Sequence, residues 1–479
     1  LNKQHTLQST PDQSTSAAPS ASRRTLFEVA HNVPQAPRPR YIDHVFDVPA
    51  GASTVGATVT FNAPLLLYLS LHDIDGFRGN RMNPSATGQV ALELWVAPDA
   101  ASDGGVAGVL PPGQWTARLN LRRLGEDTGY QLVVYAEFEA VPTPISVEYP
   151  ADHVARPEPG WYQGELHAHS TESDGTYPVE TVVQAAIAAE LDFISLTDHY
   201  TNSQWSKMAG LINDQVALLR SCELTDTHGH ANLQGIDEWI DVYVGRPDWS
   251  MNDAADQTHA RGGLFCVNHA FSGYLGWRTE DFEWDKVDLL EVYHNLEGPN
   301  NNLLLPLWDH HLRLGRRIVG VGGIDSHDPF VGWHALGQVV TRVYADELSE
   351  RGIIAGLRRG QVYVSRGPEL RFAAVNSRGD HAGMWDTLER GGPITFEVRL
   401  TCEQPLHVFL LKNGYPYEQH KLESSPGFWQ TLTFIDDPIV PAYYRVEVHS
   451  RYQDEAHPNN MWRDWTTMQV LSNPIWIRA

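Results

Sequence analysis

The sequence predicts an α/β core carried between two β domains. Three observations predict it: short alternating runs from about Arg40 to Val141, strand-like runs that alternate with helix-like ones from Tyr162 to Val343, and renewed strand alternation from about Gly367. At 479 residues the chain exceeds the size at which single hydrophobic cores stop growing, so two or three domains are expected.

The first residues, rich in Gln, Ser, Thr, Ala and Pro up to about Ser22, bury too little surface to fold alone, so residues 1–40 are expected to be disordered or extended. The chain opens at Leu1, as after removal of a leader or after trimming, which leaves a periplasmic, secreted or cytoplasmic location open. From 41 to 150 the runs Val90 to Val96, Trp115 to Leu121 and Tyr130 to Phe138 alternate between apolar and polar residues. They are separated by breaks such as Leu110-Pro111-Pro112-Gly113, the pattern of a β-sandwich. Pro142 to Gly160, with five prolines, reads as a linker.

Between 151 and 366 the rhythm changes. Strand-like runs at Tyr162 to His167, Phe193 to Asp198, Leu218 to Leu224, Leu264 to His269, Leu289 to His294, Arg317 to Ile324 and Gln338 to Val343 alternate with helix-like ones. One helix begins near Pro178, with Val179, Val182, Val183, Ala186 and Ile187 on one face; another runs from about Asn302 to Leu314 and stops at Gly315. Such alternation predicts a mostly parallel sheet, closed as a barrel or open. From 367 to 479, Phe396, Val398 and Leu400, then Tyr444, Val446 and Val448, alternate with polar residues, and Asn413-Gly414 is a hairpin signal, so a second β domain is expected.

Composition excludes some functions. With 35 Lys+Arg against 59 Asp+Glu, a net charge of −24 disfavours nucleic acid and anionic membrane surfaces as partners. No run of about 18 apolar residues occurs, so a soluble protein is expected. Cys222, Cys266 and Cys402 are too few and too scattered to indicate a redox compartment. Oligomeric state is not legible.

Histidine is the anomaly: 13 of the 22 lie between His153 and His334. In Gly164-Glu165-Leu166-His167-Ala168-His169, followed by Asp174, residues two apart on a strand share a face, so His167 and His169 can grip one ion. Alone the pair is weak evidence. Its recurrence is not: Asp198-His199, Glu223, Asn268-His269 and Asp325-Ser326-His327 also end predicted strands, and in parallel β/α architectures those ends converge on one face. So many buried ionisable groups are costly unless cations neutralise them.

In this order, and with Gly229-His230-Ala231-Asn232, these motifs resemble the PHP (polymerase and histidinol phosphatase) metallohydrolases over roughly Trp161 to Leu370. The Gly-His-Ala-Asn stretch, Glu291-Val292-Tyr293, Gly322 to His327 and Tyr363 to Pro368 are similar to the CehA/McbA branch, whose namesakes hydrolyse the carbamate carbaryl. The resemblance implies a distorted (β/α)7 barrel and two or three divalent metal ions, Zn, Mn or Fe. It assigns His167, His169, Glu223 and Asp325 to a first ion, Glu223, His230 and His269 to a second, and Asp174, His199 and His327 to a third. Asp174 stands where other members have His, an oxygen-for-nitrogen exchange that would alter the third site. Asp198 is expected to orient a ligand or a water, and His294, where relatives carry Asn, to donate a proton to a leaving group. His230 is preferred to His228 as ligand, and His259, His310 and His311, on predicted helices, are expected at the surface.

The chemistry implied is hydrolysis by a metal-activated hydroxide. No Gly-x-Ser-x-Gly elbow, phosphate loop or dinucleotide fingerprint competes with it. The CehA/McbA resemblance implies a small carbamate or carboxyl ester as substrate, and the scarcity of Lys and Arg beside the motifs favours the same choice. Phosphoester cleavage is the alternative, and a metal-holding scaffold whose β domains recognise a polymer is the reading from another class.

Overall fold

The computed structural model describes residues 22–34, 40–62, 65–82, 89–124, 128–241, 243, 249–294, 298, 300–450 and 466–478, so most of the low-complexity lead lies outside the described residues. Arg23–Val33 is a strand, and its pairing with Thr128–Glu137 makes part of the extended N-terminal stretch an edge of the first β domain. That domain is two four-stranded antiparallel sheets. One has the order Arg23–Val33, Thr128–Glu137, Thr54–Asn62, Gln89–Val96; the other Tyr41–Val48, Gly113–Leu124, Leu65–His72, Phe77–Met82. Alternate residues such as Val55, Ala57 and Val59 meet Leu69, Leu71, Trp115 and Leu119 between them, as the sequence alternation requires.

The core is one long row of strands. From one end it runs Val319–Gly323, Leu289–His294, Leu264–Val267, Gly229–Gln234, Ala217–Asp226, Phe193–Leu196, Gly160–Ala168, Val340–Ala345 and Val362–Ser365. It then continues without a break through Met468–Ser472, Ala442–His449, Leu406–Lys412 and Tyr415–Leu422, so the expected boundary at 366 is not an edge of the sheet. Ile475–Arg478 also joins the long row, on Ala442–His449, and carries Thr387–Glu389 beside it, whereas His381–Gly383, Leu370–Asn376, Ile394–Cys402 and Ser425–Asp436 form a separate four-stranded sheet. Asn413 and Gly414, both at positive φ, make the hairpin turn that their sequence announces.

The expected (β/α)7 barrel is not what forms. Gly229–Gln234, which the alternation does not reveal, folds back antiparallel on Ala217–Asp226, and Val340–Ala345 runs antiparallel to Gly160–Ala168. Only five α-helices accompany the row among the described residues, Val179–Ala188, Ser203–Ala209, Met251–Ala260, Asn301–Arg313 and Glu350–Arg359. Because Val340–Ala345 occupies the edge of the first strand from Gly160 to Gly164, Val319–Gly323 reaches that strand only beyond it, at the bridge Ala168–Ser326. Thr341 fills the gap in the ladder: its Oγ1 accepts from Gly322 N at 2.9 Å and donates to Gly322 O at 3.1 Å. No helix among the described residues is long and apolar enough to cross a membrane, and the three cysteines are free and buried.

Ala442–His449 is buried on both faces although its sequence alternates. Arg445 donates to Asp309 on helix Asn301–Arg313 at 3.0 and 2.8 Å and to Glu447 at 2.6 Å, which joins the C-terminal domain to the core through a fully enclosed ion network.

Gly164 shows how tightly the row is built. A Cβ there would lie 2.2 Å from the backbone oxygen of Phe193 on the neighbouring strand, which cannot give way. Gly164→Ala is therefore expected to cost roughly 3 kcal/mol of stability as an overpacked core site. A urea-unfolding midpoint equal to that of the parent chain would show that the strands can separate there.

Candidate metal centre

His167 sits at the inner end of Gly160–Ala168 and His169 one residue beyond it, both fully buried. Their strand is laced to the end of Val319–Gly323: Ser326 N donates to His167 O at 3.1 Å and His169 N to Ser326 O at 2.9 Å. The His-x-His and Asp-Ser-His motifs, far apart in sequence, are therefore neighbours. Asp325 and His269 turn out of their strands at positive φ, +56° and +26°. Left-handed backbone is strained for such residues, and here it turns ligand-type side chains at the strand ends.

Glu223, within Ala217–Asp226 and wholly buried, is the hub. Its Oε2 lies 3.4 Å from His167 Nε2, 3.5 Å from His169 Nε2 and 2.9 Å from His199 Nδ1; its Oε1 lies 3.0 Å from His230 Nδ1 and 3.5 Å from His269 Nε2. Asp325 Oδ1 is 3.3 Å from His167 Nε2, 2.9 Å from His169 Nε2 and 3.4 Å from His327 Nδ1. Asp174 Oδ1 is 3.5 Å from His199 Nε2 and 3.2 Å from His327 Nε2. All nine expected ligands thus meet in one place. Four sets offer donor atoms within 4.8 Å of one another: His169, Asp174, His199 and His327; His167, His169 and Asp325; His167, Glu223 and His269; and His167, Glu291 and His294. His169 therefore stands between the first and third expected sites.

The fit to cations is tested by what the donor atoms do without them. His167 Nε2, His169 Nε2, Glu223 Oε2 and Asp325 Oδ1 are buried and, although they crowd within 2.9 to 3.5 Å of one another or of His199 Nδ1, none is aligned for a hydrogen bond. Buried polar atoms are otherwise almost always paired, and this set of imidazole and carboxylate donors suits a divalent metal ion.

Charges are arranged to match. Against burial, His199, His167 and His230 hold Glu223 well below the usual carboxylate range, and His167 and His327 do the same for Asp325. Burial opposes a charge on His327, but Asp325 and Asp174 carry it up to about 10. Burial, with His199 and His327 beside it, pushes His169 down to about 4.

Supporting residues lie behind the ligands. Asp198, raised to about 6 by burial, does not point into the cluster's donor sets; it accepts from Ser170 N at 2.8 Å, Ser170 Oγ at 2.9 Å and Ser173 Oγ at 2.7 Å, and so pins the loop that carries Asp174. Glu291 accepts from His269 N at 2.8 Å and holds His167 Nδ1 at 2.7 Å, the carboxylate–imidazole arrangement that orients a ligand. Asn268 donates to Glu223 Oε1 at 3.0 Å, and Thr225 Oγ1 bonds His199 Nδ1. The N-terminal domain grips the same loops: Arg81 donates to Thr171 O at 2.7 Å, Gly104 N to Glu172 Oε2 at 3.0 Å, Thr201 Oγ1 to Gly104 O at 3.0 Å and Asn80 Nδ2 to His199 O at 3.4 Å.

Other expectations divide. His228 is largely exposed and turns to Asp226 at 2.8 Å, whereas His230 enters the cluster. His259 is on a helix surface with Asp288, but His311 is buried, stacked on Trp284 at 4.1 Å, contrary to its expected exposure. Sequence reading missed Glu291 as part of the site; a lone carboxylate in the buried strand Leu289–His294 was the available signal.

No protein-family model and no curated protein sequence matches the chain. Among solved structures it is similar to a two-domain protein of Bacteroides vulgatus described as containing a predicted PHP-like metal-dependent phosphoesterase, at 15% identity over 64% of this chain and 94% of that one, TM-score 0.37. It is also similar to a candidate metal-dependent phosphoesterase of Bifidobacterium adolescentis, at 15% identity over 34% of this chain and 87% of that one, TM-score 0.27. Likeness this distant leaves the chemistry to be read from the chain's own residues.

Asp198→Ala should free the Ser170–Asp174 loop and weaken the cation group of Asp174, His199 and His327 by about 10- to 100-fold, the usual effect of losing an orienting partner. Competition for the metal with a chelating dye measures this, and unchanged affinity would remove Asp198 from any positioning role.

Proposed function

We propose that this chain is a metal-dependent hydrolase of PHP type that cleaves a small neutral carbamate or carboxyl ester. The observation that carries the metal-dependent reading is the convergence of buried donor atoms without hydrogen bonds, from His167, His169, Glu223 and Asp325, in one cluster. When bound, two or three divalent cations there lower the pKa of a coordinated water towards about 7 and polarise a carbonyl or phosphoryl oxygen.

The chain's residues supply the rest. Glu223 and Asp325 bring the negative charge, Glu291 fixes the ring of His167, and Asp198 fixes the loop of Asp174. Exposure favours arrival of a substrate from the side of His327, Asp174 and Asp325, whose side chains are 28%, 15% and 14% exposed, while those of His167 and His169 are at 0%. Charge bears on the substrate. Every ion pair of Glu223, Asp174 and Asp325 among the described residues is with histidine. The cations that sequence brings near the motifs are engaged elsewhere, Arg220 with Glu350, Lys207 with Glu172, Arg316 with Asp285 and Arg317 with Trp385 O and Thr387. A phosphate dianion would need such cations free, and this supports the neutral ester. Phosphoester hydrolysis is the alternative that the same donor set serves.

Elemental analysis of the purified chain should find at least two transition-metal equivalents. Glu223→Gln, which keeps the size of the hub and removes its charge, should abolish hydrolysis, and His228→Gln, outside the cluster, should retain it. A folded, unchelated preparation without metal, or equal losses in the two variants, would reject the site.

With paired aryl carbamate, aryl acetate and aryl phosphate substrates, kcat/KM should be higher for a neutral substrate. A tenfold preference for the phosphate, about 1.4 kcal/mol in transition-state stabilisation, would establish the phosphoesterase instead.

A further inference from the structure

His294 closes the strand Leu289–His294 at the inner wall of the cluster, and the functional reading so far gives it no task. Its side chain is 1% exposed, and both ring nitrogens are buried without a hydrogen bond. An imidazole so placed has lost its water and gained no partner, an unfavourable state unless something else takes the lone pair. Its position is fixed rather than incidental: Asn301 accepts from His294 N at 2.7 Å and donates to His294 O at 2.8 Å.

The groups facing the ring are ligands. His294 Nε2 lies 3.8 Å from Glu291 Oε2 and 4.0 Å from Asp325 Oδ2, and its ring stands 5.1 Å from that of His269 and 5.9 Å from that of His167. Separations of 3.8 and 4.0 Å are too long for hydrogen bonds, but they suit two atoms that share a cation at about 2.0–2.2 Å from each. Space for the Glu291 carboxylate is made by a missing side chain, since a Cβ on Gly323 would lie 2.2 Å from Glu291 Oε1. While Oε1 stays on His167 Nδ1, Oε2 keeps a lone pair beyond the one that accepts from His269 N.

We propose that His294 and Glu291, with Asp325 Oδ2 in reach, hold a further divalent cation of the zinc class on the inner wall, in addition to those of the nine-ligand cluster. The inference rests on the metal-dependent reading above. Mixed nitrogen and carboxylate donors select late first-row ions over magnesium or calcium. This use is an alternative to the proton donation that the resemblance implies for His294. A donor to a leaving group must touch the substrate, and the His294 side chain is 1% exposed, whereas those of Asp174 and His327 meet solvent.

The test is the number of Zn²⁺ equivalents retained after equilibrium dialysis of the full chain, its His294→Asn variant and its Glu291→Gln variant, with Co²⁺ absorption as a second readout. The parent chain should hold one equivalent more than His294→Asn, Glu291→Gln should lose that same equivalent, and the Co²⁺ spectrum should lose one component. Thermal melting of the metal-free forms checks folding, and His294→Gln replaces His294→Asn if the latter does not fold. An equal count in parent and His294 variant, whatever the affinity, overturns the inner-wall site and leaves the hydrolase reading standing. A parent chain that binds no Zn²⁺ overturns both.

Discussion

A single carboxylate, that of Glu223, lies out of reach of solvent with five imidazoles within 3.5 Å of its two oxygens. Much of the centre is arranged around that encounter. Strands must end at the same level for their histidines to arrive together, and the bridges His199–Glu223 and Ala168–Ser326 set that level. Where strand geometry alone does not aim a side chain, the backbone bends, as at Asp325 and His269. Positive φ at non-glycine residues is strain that the surrounding packing must hold in place.

The flanking domains hold other loops and elements of the centre. On one side the N-terminal sandwich donates to or accepts from Thr171, Glu172, His199 and Thr201, in the two loops that present Asp174 and His199. On the other, the C-terminal strand Ala442–His449 is tied by Arg445 to Asp309; Asp309 belongs to the helix Asn301–Arg313, and Asn301 at the start of that helix clamps His294. A buried arginine with two carboxylates is costly to desolvate and far costlier to break, so it serves geometry more than net stability.

Floor and rim of the centre differ in kind. The floor is made of buried imidazoles and carboxylates that only a cation or a proton can satisfy, while the rim of Asp174, Asp325 and His327 meets solvent. Histidine neutralises the site's carboxylates from within, and the nearby arginines and lysines are paired outward. This electrostatic balance is the ground on which a neutral substrate is proposed.

The sequence by itself determined which residues to look for: His167, His169, Asp174, His199, Glu223, His269, Asp325 and His327 could be named from motifs at or just after strand ends, and His230 from the resemblance of its motif, because motif order and strand-end position are local properties of the chain. Many strands of the flanking β regions and the Asn413-Gly414 hairpin were legible for the same reason, since period-two alternation and turn chemistry are written in neighbouring residues. Closure of the strand row, by contrast, depended on which strand won the edge of Gly160–Ala168, and competition between distant strands leaves no periodic trace. Only tertiary structure could turn Asp198 to the Ser170–Ser173 loop, bring Glu291 against His167, bury His311 on Trp284 and enclose Arg445. Each of these is a side chain whose partner is set by how separate elements pack, and a charged or polar residue in sequence carries no mark of whether water or a buried partner will satisfy it.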